Sequence, residues 1–326
     1  METASSRVRV GISGWSYPPW RGVFYPVGLR QADELSFASR AFSSIELNGS
    51  FYSLMRPESY QAWFSATPED FVFAVKGGRY ITHMKRLRDV KSALANFFAS
   101  GVLCLGHKLG PFLWQLPPSL KFQPDLLQAF LELLPRSTAE VGRLAQQHDS
   151  RLAGRSWVTA LDQRPVRHAL EVRHASFADA RYVELLRQYG VASCVADSAG
   201  LYPVIEDLTA DFCYARLHGA KRLYVSGYSA RDLRPWAQRV HAWQSGRDAP
   251  KSQPIGPRGD GAARDVFVYF DNDVKVRAPF DAQNLVRILA GKRTLGVPKA
   301  IDTVTEEPRT DWDAWKRASG VSRGGE

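Results

Sequence analysis

Eight short apolar runs, each followed by a helical or loop segment, constrain this chain more than any single motif. They fall at residues 8–14, 43–51, 71–76, 110–116, 168–173, 191–196, 212–217 and 265–270. Several alternate with period two, as Val8, Val10 and Ile12 do, or Phe71, Phe73 and Val75, which is the signature of a strand with distinct faces. Between them, helical periodicity covers 31–42, 56–65, 90–99, 125–134, 182–189, 235–244 and 282–290. The clearest is 125–134, with Leu126, Leu127, Phe130, Leu131 and Leu134 on one face. Strands alternating with helices imply a parallel sheet with crossover helices, and eight such units imply closure. The expected fold is therefore α/β, a single (β/α)8 TIM-type barrel. An open doubly wound sheet would carry a Gly-rich phosphate turn after its first strand. Here Gly11-Ile12-Ser13-Gly14-Trp15 lacks the GxGxxG spacing and opens into a Trp- and Pro-rich loop instead.

The remaining bounds fit one barrel. A chain of 326 residues, 44% apolar and 12% aromatic, can bury a large core. Cys104, Cys194 and Cys213 lie far apart among apolar neighbours, without the pairs of a disulfide scaffold or the CxxC spacing of a zinc site. The first nine residues lack the apolar core of a signal peptide, and no apolar run is long enough to cross a bilayer. The expectation is a cytoplasmic protein with no membrane partner. Residues 1–7 read as a loose terminus and 8–295 as the barrel. A Gly-, Pro-, Arg- and Asp-rich stretch at 245–264 reads as a mobile loop before the last strand. Residues 296–326 read as a peripheral segment in which Trp312 and Trp315 could dock a short helix.

The net charge of +10 would draw an anionic partner, whether phosphate ester, carboxylate or nucleic acid. Many arginines, among them Arg143, Arg151 and Arg239, fall in helical or tail segments where they equally suit a solvated face.

In a closed α/β barrel the active site lies at the carboxyl ends of the strands, and here those ends are densely polar. The first strand exits at Trp15, Ser16 and Tyr17. The second carries Glu46, Asn48, Ser50 and Tyr52, a carboxylate and an amide where a solvated sheet would carry Thr or Lys. The third ends at Lys76, with Tyr80, Thr82 and His83 beyond it, and the fourth at Gln115. The fifth gives Glu171, Arg173 and His174, the sixth Asp197, the seventh Arg216 and His218, and the eighth Asp271, Asn272 and Asp273.

These runs carry a resemblance. Gly11-Ile-Ser-Gly-Trp-Ser-Tyr17, Glu46-Leu-Asn-Gly-Ser-Phe-Tyr52, Phe73-Ala-Val-Lys76, Ile81-Thr-His83, Gln115-Leu-Pro-Pro-Ser119, Glu171-Val-Arg-His174, Tyr214-Ala-Arg-Leu-His-Gly219 and Tyr269-Phe-Asp-Asn-Asp273 together resemble the YecE-like family, a domain of unknown function. The resemblance spans about nine tenths of the chain in order and implies a TIM-type barrel with no established reaction. The chain departs from the family pattern after the last strand: Val276 stands where the family has Gly, and Asp281-Ala282 replaces Asn-Ala.

Glu46, Glu171 and His218 are the catalytic candidates. Paired carboxylates serve as acid and base, or as nucleophile and acid on a glycosidic bond. Arg216 and His218, two apart, share one face of their strand. Lys76, Arg173 and Arg216 form a cationic group able to grip a carboxylate or phosphate. Trp15, Tyr17, Tyr52, Asn48, His83, His174, Asp197, Asn272 and Asp273 complete the expected binding set, the amides orienting hydroxyls and the rings walling the pocket. The plainer reading is an internal ion network with packed aromatics. No cofactor is indicated, and a divalent metal on His83, His174 or His218 has only weak support, since no HxH or HExxH spacing exists. The leading expectation is an enzyme doing acid/base chemistry, hydrolysis or isomerisation, on a small anionic, polyhydroxylated or phosphorylated molecule. A nucleic-acid binding or processing barrel and a non-catalytic binding protein are the alternatives.

Overall fold

Strands β1 (Val8–Ser13), β2 (Ser44–Leu47), β3 (Val72–Lys76), β4 (Leu109–Gln115), β5 (His168–Glu171), β6 (Ala192–Asp197), β7 (Phe212–Leu217) and β8 (Asp265–Phe270) pair in chain order, all parallel, and β8 returns to β1 to close the barrel. The computed structural model describes residues 6–298 and 301, so the expected peripheral helix around Trp312 and Trp315 lies outside the described residues. The principal outer helices are α1 (Glu34–Ala41), α3 (Pro57–Ala66), α4 (Lys91–Ala99), α5 (Pro124–Leu133), α6 (Thr138–Ala145), α7 (Ala180–Tyr189), α8 (Ala230–Gln244) and α9 (Arg277–Leu289), with a single turn α2 (Gly49–Tyr52) between α1 and α3. No helix among the described residues is long and apolar enough to cross a membrane.

Two cores follow from the period-two geometry of the strands. Outward side chains such as Phe112 and Trp114 meet Phe97, Phe98 and Phe130 of the surrounding helices. His168 joins that layer, accepting at Nδ1 from Trp114 Nε1 (3.1 Å) with Nε2 2.7 Å from the Pro135 carbonyl. That pairing assigns the proton to Nε2, and burial holds the ring neutral with a pKa lowered to about 4. Inward side chains form the second, smaller cluster, which includes Ala74, Leu113, Ala169, Cys194, Tyr214 and Tyr269. Two residues further along the same strands stand Lys76, Gln115, Glu171 and Arg216, so the strand period itself lifts a polar layer over the apolar one.

Three local expectations change. The second strand stops at Leu47 rather than running to Phe51, because Asn48-Gly49 turns the chain and the Phe51 amide donates to the Asn48 carbonyl (3.0 Å). The helix expected at 235–244 begins at Ala230, where Ser229 and Asp232 form a reciprocal capping box. Pro235 then sits inside the helix, where it forgoes one backbone bond. Helix α6 was not expected, although Ser137 and Glu140 at cap and third position are its start signal: the Glu140 amide donates to Ser137 Oγ (3.2 Å).

The segment at 245–264, expected as a mobile loop, has little regular structure and is anchored at several points. Asp207 accepts from the amides of Ile255 and Gly256 (3.1 and 2.8 Å), and the Arg264 guanidinium donates to Asp260 (2.7 and 3.0 Å) and the Ala210 carbonyl (2.8 Å). Arginines recur at this end of the barrel. Arg9 reaches the carbonyls of Ser43 and Asp70, and Arg167 bridges Asp211 and Asp265.

Candidate active site

Arg216 is the hub of the polar layer. It projects inward from β7 with no solvent exposure, and three carboxylates surround its guanidinium. Nε and Nη2 donate to Glu46 (3.1 and 2.8 Å), Nη1 to Glu171 (2.8 Å) and Nη2 also to Asp271 (2.8 Å). These carboxylates come from β2, β5 and the end of β8, so one planar fork ties together distant arcs of the barrel. Burial works against the cation, but Asp271, Glu46 and Glu171 outweigh it and hold the Arg216 pKa well above its usual value.

The carboxylates are separately provided for. Glu46 also accepts from Ser13 Oγ (2.7 Å) and Tyr214 Oη (2.6 Å). Glu171 takes a second cation, Arg173 Nε, at 2.8 Å. Burial would raise the Glu171 pKa, yet Arg173 and Arg216, aided by Lys76, drive it below the usual carboxylate range. Asp271 follows the same pattern: burial opposes ionisation, Arg216 and the hydrogen bond from His218 Nδ1–H overcome it, and its pKa falls to about 2. All three cations expected here are present, with Lys76 Nζ 4.4 Å from the centroid of the Phe51 ring. Charge is therefore largely compensated within the layer.

His218 is the exception to this saturation. Its Nδ1 lies 3.0 Å from Asp271 Oδ2, and an ionised carboxylate can only accept, so Nδ1 carries the proton. In the neutral ring Nε2 is then a bare acceptor. It is buried without a hydrogen-bond partner, and Glu171 Oε1 stands 3.8 Å away, outside hydrogen-bonding range. The Asn48 Oδ1 at the end of β2 is a second buried acceptor without a partner. Tyr224 packs edge-on against His218 (5.4 Å between centroids) and accepts at Oη from Arg173 Nη2 (3.3 Å), while Tyr202 lies under the Arg173 guanidinium at 4.8 Å.

His83 lies against the Phe51 ring, with Nδ1 2.9 Å from Thr82 Oγ1. Burial, then Lys76, Arg173 and Arg79, depress its pKa to about 4, so at neutral pH it is an uncharged ring in a positive potential. A cationic rim is what an anionic ligand would meet here.

Other expected residues stand elsewhere. Trp15 rests edge-on against Trp63 of α3, and Tyr17 stacks on Trp20 while donating to the Ser13 carbonyl (2.6 Å), so both pack the first loop. His174 caps the turn at Ala175–Phe177, accepting from the Ser176 amide (3.1 Å). Asp197 accepts from Tyr228 Oη (2.9 Å), which itself accepts from the Gly219 amide (3.0 Å). Asn272 Nδ2 donates to the Ser226 carbonyl (3.0 Å) and to Asp281 (2.8 Å), fixing the loop after β7. The Asp273 carbonyl accepts from Trp20 Nε1 (3.4 Å), whereas Tyr52 packs on Phe51 and lines a cavity beside the ionic layer. Asp271 closes the strand-eight register as an inward position but was not among the expected catalytic residues. Ser13, Tyr214 and Tyr224 were likewise unforeseen, although Ser13 and Tyr214 follow from strand parity. Among the described residues no group of three or more His, Cys, Asp or Glu side chains is arranged to hold a metal ion. The exterior arginines Arg143, Arg151 and Arg239 each face a local carboxylate, at 3.8, 2.6 and 2.8 Å.

The chain is similar to solved structures of the same architecture. A DUF72 family protein from Thermotoga maritima MSB8 superposes with a TM-score of 0.65 at 25% identity, over 87% of this chain and 99% of that one. A DUF72 family protein from Enterococcus faecalis V583 superposes with a TM-score of 0.62 at 14% identity, over 87% and 95%. In sequence, the UPF0759 protein YecE of Escherichia coli (strain K12) is 30% identical over 131 residues, 39% of this chain and 44% of that protein. The UPF0759 protein YunF of Bacillus subtilis (strain 168) is 28% identical over 116 residues, 34% and 40% of the two chains. The aligned stretch thus spans less than half the length of these curated relatives. The pattern described as "Protein of unknown function DUF72" matches residues 9–304, and the chain belongs to that family.

Proposed function

We propose that this barrel is an enzyme that performs acid/base chemistry, hydrolysis or isomerisation, on a small organic anion at the carboxyl ends of its strands. The observation that carries the reading is the Asp271–His218 pair, in which one imidazole nitrogen is fixed as donor and the other is a buried acceptor with no partner. A buried acceptor without a protein partner calls for an ordered water, a ligand or a reaction that uses the atom, and at the carboxyl ends of the strands the last two suit a site. In this reading His218 Nε2 takes a proton from the substrate and Asp271 stabilises the imidazolium that forms. Glu171, 3.8 Å from Nε2, adds negative potential to the same end. Lys76, Arg173 and the field at His83 favour the anionic group, and Asn48 offers its free acceptor to a hydroxyl or amide. Glu46 serves as a fixed partner that holds Arg216 in place, since both of its oxygens already accept hydrogen bonds.

The test begins with thermal shift of the purified protein against sugar phosphates, nucleotides, aromatic and aliphatic carboxylates and a short single-stranded oligonucleotide, at low and moderate salt. Stabilisation by a small anion that survives moderate salt is expected, followed by a turnover assay on that class with His218→Asn. Binding within about twofold and turnover lowered by about 10²–10⁴ would support the acid/base role. Stabilisation by the oligonucleotide alone, lost as salt rises, would overturn the reading in favour of nucleic acid.

A further inference from the structure

A cavity of about 400 Å³ lies beside the ionic layer, between α2, the turn at Tyr80–Met84 and α4. That volume is within the roughly 300–1,000 Å³ typical of small-molecule sites. Its walls are mostly apolar, including Phe51, Leu54, Ile81, Met84 and Phe97, and among the described residues the cations that line it are Arg79 and Arg151. Two of its residues, Tyr80 and Met84, are 42% and 62% exposed, large side chains left facing solvent at its edge.

Two features connect this cavity to the charged centre. Phe51 belongs to both: it lines the cavity, carries Lys76 Nζ 4.4 Å from its centroid, and meets His83 edge-on at 5.1 Å. Arg79 also belongs to both, since it lines the cavity and its charge helps depress the His83 pKa. The wall itself is unusual backbone. Tyr80–Met84 is a π-helical turn, a rare form that is frequent at functional sites, and Arg86, Leu87 and Asp89 follow at φ of 51°, 68° and 48°. Three left-handed non-glycine residues in four positions are costly and persist where a shape is required.

We propose that this cavity receives the apolar body of the substrate, so that the substrate is an aromatic or branched aliphatic carboxylate or phosphate ester whose charged group lies toward Arg79, Lys76 and Arg173. This rests on the anion-binding enzyme reading above and narrows it, because a bare sugar phosphate would leave apolar walls wet and unfilled. Ala93 of α4 also faces the cavity, and a larger side chain there would fill it from a helix surface.

Calorimetric titration of the full chain with 1-naphthyl phosphate, inorganic phosphate and 1-naphthol tests the proposal. Naphthyl phosphate is expected to bind at least tenfold tighter than either fragment. Ala93→Trp should weaken naphthyl phosphate tenfold or more and leave inorganic phosphate within twofold. Should the tryptophan compromise folding, Met84→Glu, at an exposed position, places a like charge at the edge and should weaken the ester at least fivefold. Naphthyl phosphate binding no tighter than phosphate, or unchanged by both substitutions, overturns the cavity assignment. The enzyme reading fails separately, when His218→Asn leaves turnover of a bound anion intact.

Discussion

His218 Nδ1 lies 3.0 Å from Asp271 Oδ2, and that carboxylate simultaneously accepts from Arg216 Nη2 at 2.8 Å. One acidic group at the end of β8 therefore sets both the tautomer of the histidine and the orientation of the central arginine. Asp271→Asn should break the first of these relations, because an amide can present a donor to Nδ1. The readout is the ¹⁵N shift pattern of the His218 ring, which should change from Nδ1-protonated toward Nε2-protonated, with turnover lowered by about 10²–10⁴ on whatever anion the screen identifies. A ring that keeps its proton on Nδ1 in the variant would show that Asp271 does not set the tautomer.

Removing Arg216 should be far more damaging than its single position implies. Glu46, Glu171 and Asp271 all accept hydrogen bonds from its guanidinium in a buried setting. Arg216→Met leaves carboxylates facing one another, and breaking such a buried pair costs about 3–5 kcal/mol. Urea denaturation at pH 7 should show that loss, and part of it should return at about pH 4–5 as a carboxylate accepts a proton. Equal damage at both pH values would contradict the electrostatic explanation.

Asp281, at the first turns of α9, has its pKa shifted in the direction opposite to Glu171 and Asp271. Burial raises its pKa to about 7, although Asn272 and the Tyr228 amide bond to it, and Oδ1 has no partner. Its folded pKa lies above the unfolded one near 3.8, so its contribution to stability is greatest below about pH 4 and is lost as the pH rises toward 7. Asp281→Asn should flatten that limb. The difference between wild-type and variant unfolding free energies, followed from pH 4 to 8, should grow in favour of the variant with rising pH; a constant difference would refute a neutral Asp281.

Val276 carries backbone strain. It is fully buried at φ 55°, ψ 24°, left-handed space that a β-branched residue rarely enters, just ahead of α9. Gly normally costs about 0.5–1 kcal/mol relative to Ala in regular structure. Here the order should reverse, with Val276→Gly at least as stable as Val276→Ala by denaturant midpoint, since only Gly relieves the strain. An Ala variant clearly more stable than the Gly variant would sink this account.

The departures from the family pattern at Val276 and Asp281 both fall at the rim after β8, and each carries a physical cost there, left-handed backbone at one and a buried carboxyl at the other. The tight rim after β8 takes left-handed backbone at Val276, a conformation that glycine adopts without strain.

What the sequence determined by itself was periodic and local. Eight short apolar runs, several of them alternating, mark the strands, and the period-two geometry of a strand places Glu46, Lys76, Gln115, Glu171 and Arg216 inward as soon as the barrel closes. Capping chemistry at Ser229–Asp232 and Ser137–Glu140 was equally local. What only the tertiary structure decided was partnership. Parity says that Arg216 points inward, but the radius and stagger of the barrel decide that its fork reaches β2, β5 and β8 together. The same closure uses Trp15, Tyr17, His174 and Asp197 in loop packing and capping, leaves His218 Nε2 without a partner, and encloses an apolar cavity behind Phe51. These are contacts between residues up to hundreds of positions apart, and no local periodicity encodes which of several chemically equivalent partners comes within 3 Å.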